Sequence, residues 1–562
     1  MRERRGAAVL GVQEAVRRVR GIIDEPDADP DEEDYEDLPA LVHGDSESSE
    51  EDEVEVAPRA AAPAAKRARA NTAAWTEELL PVHFPAFDDT GCGPKIPPCE
   101  QALAVLDHWW VPLRTQLVKA TNSNFHLIQQ EKFSARLDGF KSVTDAEMDA
   151  FFCILIYLGI HPQPNQVEAW APPPHGLEFV KGIMSRDRFL QIKRCLAIAT
   201  PNKEANAADK LAKARVAQDI FNEVSPRVYK PGQRVSLDEA QIQCAHRVAR
   251  VSFRAGKNKP LSDYIKTFSI NECGTSYCPR FLIDERNGRS VRDYVMALTE
   301  PLVGRAHVLY LDRYYTSVDT ALALSEVGLF TVGTVRTDRG VPKELIDDVK
   351  RRPLADAESR YRMAPTPLPD QPLSVVVFRD TSADGFYVLS NVHNPADTEV
   401  IKRRKKGVAG LVPKDAPVAV ADYNKGMGYV DSMNHMKVNY SVSLTYKYRW
   451  YMGIIFYVLE LSIINALVVF RQLGHEDLRH LDFRKQLITQ LAARAKVAAR
   501  QNSAPEPEPV PEHLREAHII VRLPSQRRCV HCFQTDGRSC KTSYGCATCG
   551  KALHADCFFA FH

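Results

Sequence analysis

A change of apolar period near Pro231 limits what this chain can fold into more than any other feature. Upstream, "CEQALAVLDHWWVPL", "DAEMDAFFCILIYLGI" and "MSRDRFLQIKRCLAIA" repeat apolar residues every three or four positions, as helices with one buried face do. Downstream, "QRVSLDEAQIQC", "YIKTFSIN", "YCPRFLID", "HVLYLD" and "FTVGTVR" are short runs rich in Val, Ile, Phe and Tyr. A helical pattern, "SVRDYVMALTEPLV", lies between them. Three strands, then helix, strand, helix and strand make an α/β order. After Arg336 comes a polar stretch, then strands at "SVVVFRD" and "GFYVLSNV". From Tyr423 the pattern is helical to about Arg500.

A chain of 562 residues outgrows one core, so several domains are expected. Residues 1–72 combine an acidic run, the cluster "GDSESSEEDE" and the stretch "APRAAAPAAKRARA". They are too poor in apolar surface to order themselves and read as a disordered acidic tail. Helical pattern then fills 73–230, the α/β pattern 231–436 and a second helical segment 437–500. A linker, 501–527, opens with "QNSAPEPEPVPEH" and leads to a cysteine-rich end, 528–562.

The formal net charge of +1 hides an uneven distribution. Asp24 to Val56 holds 17 Asp or Glu and no Lys or Arg, which leaves 73 basic against 55 acidic residues elsewhere. A basic body suits a polyanion partner, although a solvated basic surface gives the same totals. "KRAR", Lys66 to Arg69, fits a nuclear-import signal; "KRRKK", Lys402 to Lys406, fits another, a phosphate patch or a solvated hairpin. The N-terminus lacks the apolar core of a secretory signal, and the longest apolar run, Gly453 to Phe470, is broken by Glu460 and Asn465. An intracellular protein with no membrane span is therefore expected, the run being a buried helix.

Six of the thirteen cysteines fall after Arg528, in "CVHCFQTDGRSCKTSYGCATCGKALHADCFFAFH". Two pairs with two-residue gaps, Cys529/Cys532 and Cys546/Cys549, precede His554, Cys557 and His562. Thiolates and imidazoles at this spacing are what tetrahedral Zn²⁺ requires, and so short a segment has no other core.

Carboxylates at strand ends raise a second question. Asp312 follows the apolar run Val308–Leu311, and Asp238 in "VSLDEAQ" also ends a β-like run. Asp431 in "YNKGMGYVDSMNHM" lies where the pattern turns helical. A strand-end aspartate caps the next helix or, with partners, binds a metal; three converging carboxylates suit two hard divalent cations. "TYKYRW" mixes Lys447 and Arg449 with Trp450, which reads either as a surface that grips phosphates and stacks on a base or as a core tryptophan heading a buried helix.

Taken in order, "VSLDEAQ", "SFRAGKNKP", "IKTFSIN", "LYLDRYYTS", "VGTVRTDRG", "YNKGMGYVDSMNHM" and "KYRWYMGIIFYVLELSIINAL" resemble the piggyBac transposase family. "MSRDRFLQIKRCL" and "AHIIVRLPSQRRCVHC" extend the likeness over roughly residues 73–562. The resemblance implies an α/β fold with an RNase H-like core in 231–436, an insertion at about 340–412, and helical DNA-binding segments at 73–230 and 437–500. It implies metal-dependent cleavage and transfer of DNA strands at TTAA targets. Its three catalytic aspartates fall on Asp238, Asp312 and Asp431, which would hold Mg²⁺ or Mn²⁺, with Tyr314 and Tyr315 packed behind Asp312. It also sets Trp450 close to the DNA end and a terminal domain around two zinc ions, whose seven or eight donors Cys540 or His531 would complete. Two positions depart from the family: Asn434 stands where many relatives carry a further acid, and Tyr429 where a second glycine is usual. The resulting expectation is a nuclear, homodimeric transposase acting on double-stranded DNA at transposon ends and TTAA targets. The alternative is a domesticated DNA-binding or chromatin protein that no longer cuts.

Overall fold

The computed structural model describes residues 75–131, 137, 140–199, 211–243, 264–285, 288–366, 371–380, 385–404, 410–442, 451–502, 518 and 520–561. The expected disordered tail with its "KRAR", the "TYKYRW" residues Lys447, Arg449 and Trp450, most of the linker, Lys405 and Lys406, and His562 lie outside them. The chain divides into two compact units, Met1–Lys496 and Val497–His562.

In the first unit a two-residue strand β1 (Gly93–Pro94) precedes the helices α1 (Ala102–Glu131), α2 (Asp145–Ile160), α3 (Glu178–Ile183), α4 (Arg186–Cys195) and α5 (Ala212–Val228). Thr144 starts α2 with a capping box: its side chain accepts the Glu147 backbone N–H while the Glu147 carboxylate accepts the Thr144 N–H. The matching β2 (Tyr229–Lys230) pairs with β1. β3 (Arg234–Gln243), β4 (Tyr264–Glu272) and β5 (Arg280–Ile283) then form an antiparallel meander. α6 (Val291–Thr299) leads to β6 (Val308–Leu311), and α7 (Val318–Glu326) to β7 (Phe330–Val335). β6 is parallel to both β3 and β7.

The polar stretch after Arg336 is more ordered than its composition suggests. It supplies α8 (Lys343–Arg351) and β8 (Ser359–Ala364), followed by β9 (Leu373–Phe378) and β10 (Phe386–Ser390). The segment read as an insertion extends the main sheet, because β10 pairs with β7. The result is one mixed eight-stranded sheet, ordered β5-β4-β3-β6-β7-β10-β9-β8. A hairpin of β11 (Thr398–Arg404) and β12 (Leu411–Pro417), α9 (Val418–Gly426), α10 (Tyr429–Asn439), α11 (Met452–Gln472) and α12 (His480–Asn502) follow.

Strand alternation decides what covers each face. Leu309 and Leu311 of β6 join Val235, Leu237, Val295 and Leu324 in one core, on the side of α6 and α7. Val308 and Tyr310 face the other way, into a core with Val420 and Ala421 of α9. A third core gathers Trp109, Trp110, Phe151, Phe189, Phe221, Ile464 and Leu491 from helices that flank the sheet in sequence, together with Ile242 and Ile265 of the sheet itself. Full burial of each such side chain contributes roughly 1.5–3 kcal/mol. α11 is long and apolar enough to cross a membrane, yet 94% of its most apolar stretch is buried inside the protein. Its interrupting Glu460 forms a buried pair with Arg484 at 2.5 Å, and Asn465 bonds both backbone groups of Cys278.

In the second unit β13 (Ile520–Arg528) pairs with β14 (Lys541–Cys546) across a bulge, with helices α13 (Val530–Asp536) and α14 (Ala555–Phe561) beside them. Its small core is Cys529, Cys546, Leu553 and Phe558.

Candidate functional site

Register brings the first two acids together. In the parallel pair β3/β6, Leu237 lies opposite Leu311, so Asp238 and Asp312 are the next residues along, on the same face. Asp312 follows the end of β6, whereas Asp238, expected at a strand end, lies in the middle of β3, which continues to Gln243 against β4. Asp312 starts a turn: its carbonyl accepts the backbone N–H groups of Tyr315 and Thr316 at 2.9 and 3.1 Å, and its carboxylate takes that of Arg313. It is not the cap of α7. Ser317 holds that place, its hydroxyl accepting from Thr320.

Gly333 of β7 makes room for the turn, since a Cβ there would fall 2.4 Å from Thr316 Oγ1 and 2.6 Å from the Leu311 carbonyl oxygen. The third acid, Asp431, is exposed in the first turn of α10, where a negative charge suits the helix dipole. α10 packs on β3 and β4 through Val430 and Met433.

Asp238 senses the other two carboxylates. Burial, and then the charges of Asp431 and Asp312, raise Asp238 to about 7, although the Glu239 backbone N–H, donated at 2.7 Å, favours ionisation. None of the three forms an ion pair with a cation among the described residues. Their oxygens are not all within 4.8 Å of one another. An uncompensated cluster of hard oxygen donors, one of them pushed toward its neutral form, fits a divalent cation.

Neighbouring side chains complete the picture. Tyr315 is buried behind Asp312 as expected, but Tyr314 is 40% exposed, its ring under the Lys266 ammonium at 4.1 Å and edge-on to Tyr315. The expectation that both tyrosines pack behind the acid is corrected: the turn sends one inward and one outward. Asn434, one helical turn beyond Asp431, has a buried side-chain oxygen with no hydrogen-bond partner. Tyr423 of α9, which the sequence reading passed over, lies close enough that burial and then Asp312 and Asp238 raise its hydroxyl to about 12.

The second unit gathers two groups of metal-ligand type. Cys529, Cys532, His554 and Cys557 form one, with Cys532 Sγ 3.5 Å from His554 Nδ1 and 3.6 Å from Cys557 Sγ. His554 Nε2 lies 3.1 Å from the Lys541 carbonyl, which fixes Nδ1 as the free donor atom. Burial opposes ionisation of Cys529, but hydrogen bonds led by the backbone of Cys532 bring it down to about 7.

The other group is His518, Cys546 and Cys549. The β13/β14 register, Ile520 opposite Cys546, delivers His518 to Cys546 at 3.4 Å. Neither Cys540 nor His531 joins a group among the described residues; His518, which was not among the expected ligands, does. Both groups have the donor chemistry of zinc sites.

A family model described as Transposase IS4 matches residues 113–467, more than half of the chain. The chain belongs to this transposase family. Among solved structures, it is similar in fold to the chain in a cryo-EM structure of a piggyBac transposase synaptic complex with hairpin DNA. The two share 20% identity at a TM-score of 0.61, over 83% of this chain and 98% of that one.

Proposed function

We propose that this transposase cuts and rejoins DNA strands with Asp238, Asp312 and Asp431 as ligands of Mg²⁺ or Mn²⁺, acting on transposon ends and TTAA targets. The observation that carries this reading is the register of β3 and β6, which sets two uncompensated carboxylates side by side with the third on the helix packed against them. The meander β5-β4-β3 followed by parallel β6 and β7 supports an RNase H-like core. Bound cations would make a water or 3′-hydroxyl more nucleophilic and stabilise the leaving oxygen.

The chain's own residues do the positioning. Asp238 would act as a ligand in its ionised form, and the Asn434 oxygen, which brings no charge, would hold a water or bind weakly. Double-stranded DNA is the partner suited to this chemistry, and the similar structure's hairpin DNA supports it. Action as a homodimer in the nucleus belongs to the same proposal, as does Zn²⁺ in the two terminal groups. The test is nicking of a TTAA-flanked transposon end by the full chain in Mg²⁺ or Mn²⁺, against a scrambled duplex. Nicking confined to the flanked end is expected. DNA binding without any nicking would favour a domesticated, non-cutting protein, the reading that Asn434 leaves open.

A further inference from the structure

At the opposite ends of the two central strands lies a cleft the catalytic reading does not use. Residues Ala86 and Asp88, Lys95 just after β1, Lys230 of β2 and the turn Gly304–Ala306 leading into β6 enclose about 520 Å³. Lys95, Lys230 and Arg305 line it against a single carboxylate, Asp88, which already accepts the Thr90 backbone N–H at 3.0 Å.

None of the three cations forms an ion pair among the described residues. Lys95 donates one hydrogen bond, to the Pro226 carbonyl at 2.8 Å. Lys230 donates two, to the carbonyls of Asp88 and Thr90 at 3.1 and 2.7 Å. Arg305 is exposed, and its guanidinium has no hydrogen-bond partner among the described residues; only its backbone N–H is engaged, by the Leu302 carbonyl. It stands between two left-handed residues, Gly304 (φ 71°) and Ala306 (φ 55°). For an alanine that conformation costs about 1–3 kcal/mol, a local strain of the kind found at binding sites. Burial, and then the charges of Arg305 and Lys230, hold Lys95 below its usual range, as expected of cations gathered without a counter-charge.

We propose that this cleft binds a phosphate group, supplied by the DNA backbone. Two N–H donors of Lys95, one of Lys230 and the guanidinium fork of Arg305 remain to surround the phosphate oxygens. Because the cleft adjoins the start of β3 and β6, it lies on the order of 13 Å, four strand residues, from Asp238 and Asp312. The site itself rests on the cations; only the source of its phosphate rests on the transposase reading.

The test titrates the full chain with inorganic pyrophosphate and, at several salt concentrations, with a random-sequence duplex, neither of which requires cutting. Arg305→Ala, which loses no internal partner, is compared with Arg186→Ala, a paired surface arginine. Lys95→Gln serves as the second variant, and thermal melting checks that all three fold. Arg305→Ala and Lys95→Gln are expected to weaken pyrophosphate binding at least tenfold. Each should also lower the slope of log affinity against log salt for the duplex by roughly 0.9, the value of one phosphate contact. Arg186→Ala should do neither. Weakened pyrophosphate binding with an unchanged duplex slope would overturn the DNA source in favour of a free phosphate ligand. Absence of pyrophosphate binding, or affinities for both probes that the cleft variants leave unchanged, would overturn the site.

Discussion

Asp238 shows how a single residue reports its surroundings. Its carboxyl is raised above the value of an unfolded chain, to about 7, by burial and like charges. Between about pH 4 and 7 the folded state therefore binds more protons than the unfolded one, and stability falls as pH rises through that window. In chelator, the melting temperature should drop from pH 5 to pH 8. Asp238→Asn should flatten the profile and added Mg²⁺ should restore the lost stability; a flat parental profile would contradict the like-charge cluster. Asn434 tests the opposite direction. Its partnerless buried oxygen sits one helical turn from Asp431, so Asn434→Asp adds a carboxylate at a place already free of competing donors. The Mn²⁺ concentration for half-maximal nicking should fall several-fold, and an unchanged midpoint would remove Asn434 from the cation site. Asp312 stood out as a carboxylate directly after an apolar run and Asp238 did so too, although β3 continues past it; Asp431, in a helical pattern, was singled out by the family resemblance rather than by spacing. Tyr423 was not: a tyrosine in a helical pattern looks like core, and only α9 packing across the sheet brings its hydroxyl toward Asp312 and Asp238.

Among the elements, the turn after β6 depends on the smallness of a residue in its neighbour. Gly333→Ala would put a methyl carbon against Thr316 and the Leu311 carbonyl and shift the Asp312 turn. Nicking should fall at least tenfold while DNA binding persists; full activity would show that the turn can give way at no cost. The joint between α11 and α12 is a different case. Arg484 and Glu460 are both buried, and Arg484 also donates to the Tyr440 carbonyl at 2.7 Å. Arg484→Ala leaves an unpaired buried carboxylate and should lower stability by roughly 3–5 kcal/mol in urea unfolding. Seven of the eight strands of the main sheet were readable from their β-branched and aromatic runs, and α11 from its apolar length. α8 and β8 were hidden in a polar stretch. Arg360 of β8 is buried, but it pairs with Asp348 and Glu358, and α8 buries little beyond Leu345, so their sequences read as surface. His518 was hidden by distance along the chain, because only the bulged β13/β14 register carries it to Cys546.

At the scale of the whole molecule, the two units rest on different physics. Residues up to Lys496 fold around large apolar cores, whereas the terminal unit has four core residues, two of them cysteines of the ligand groups. Chelation of the full chain should therefore unfold the terminal unit, exposing it to protease, and leave the first unit's melting transition in place. Elemental analysis should find two zinc ions per chain and one in His518→Ala; two ions in the variant would exclude His518 as a ligand. The central proposal is that β3, the end of β6 and α10 of the first unit together form one cutting site. It is tested most directly by nicking of a TTAA-flanked transposon end by the parent and Asp312→Asn at equal DNA occupancy. The expected result is that Asp312→Asn binds the end as tightly as the parent, within about twofold, and cuts none of it at any Mg²⁺ or Mn²⁺ concentration. Cleavage by Asp312→Asn at a rate near the parent's would contradict the assignment.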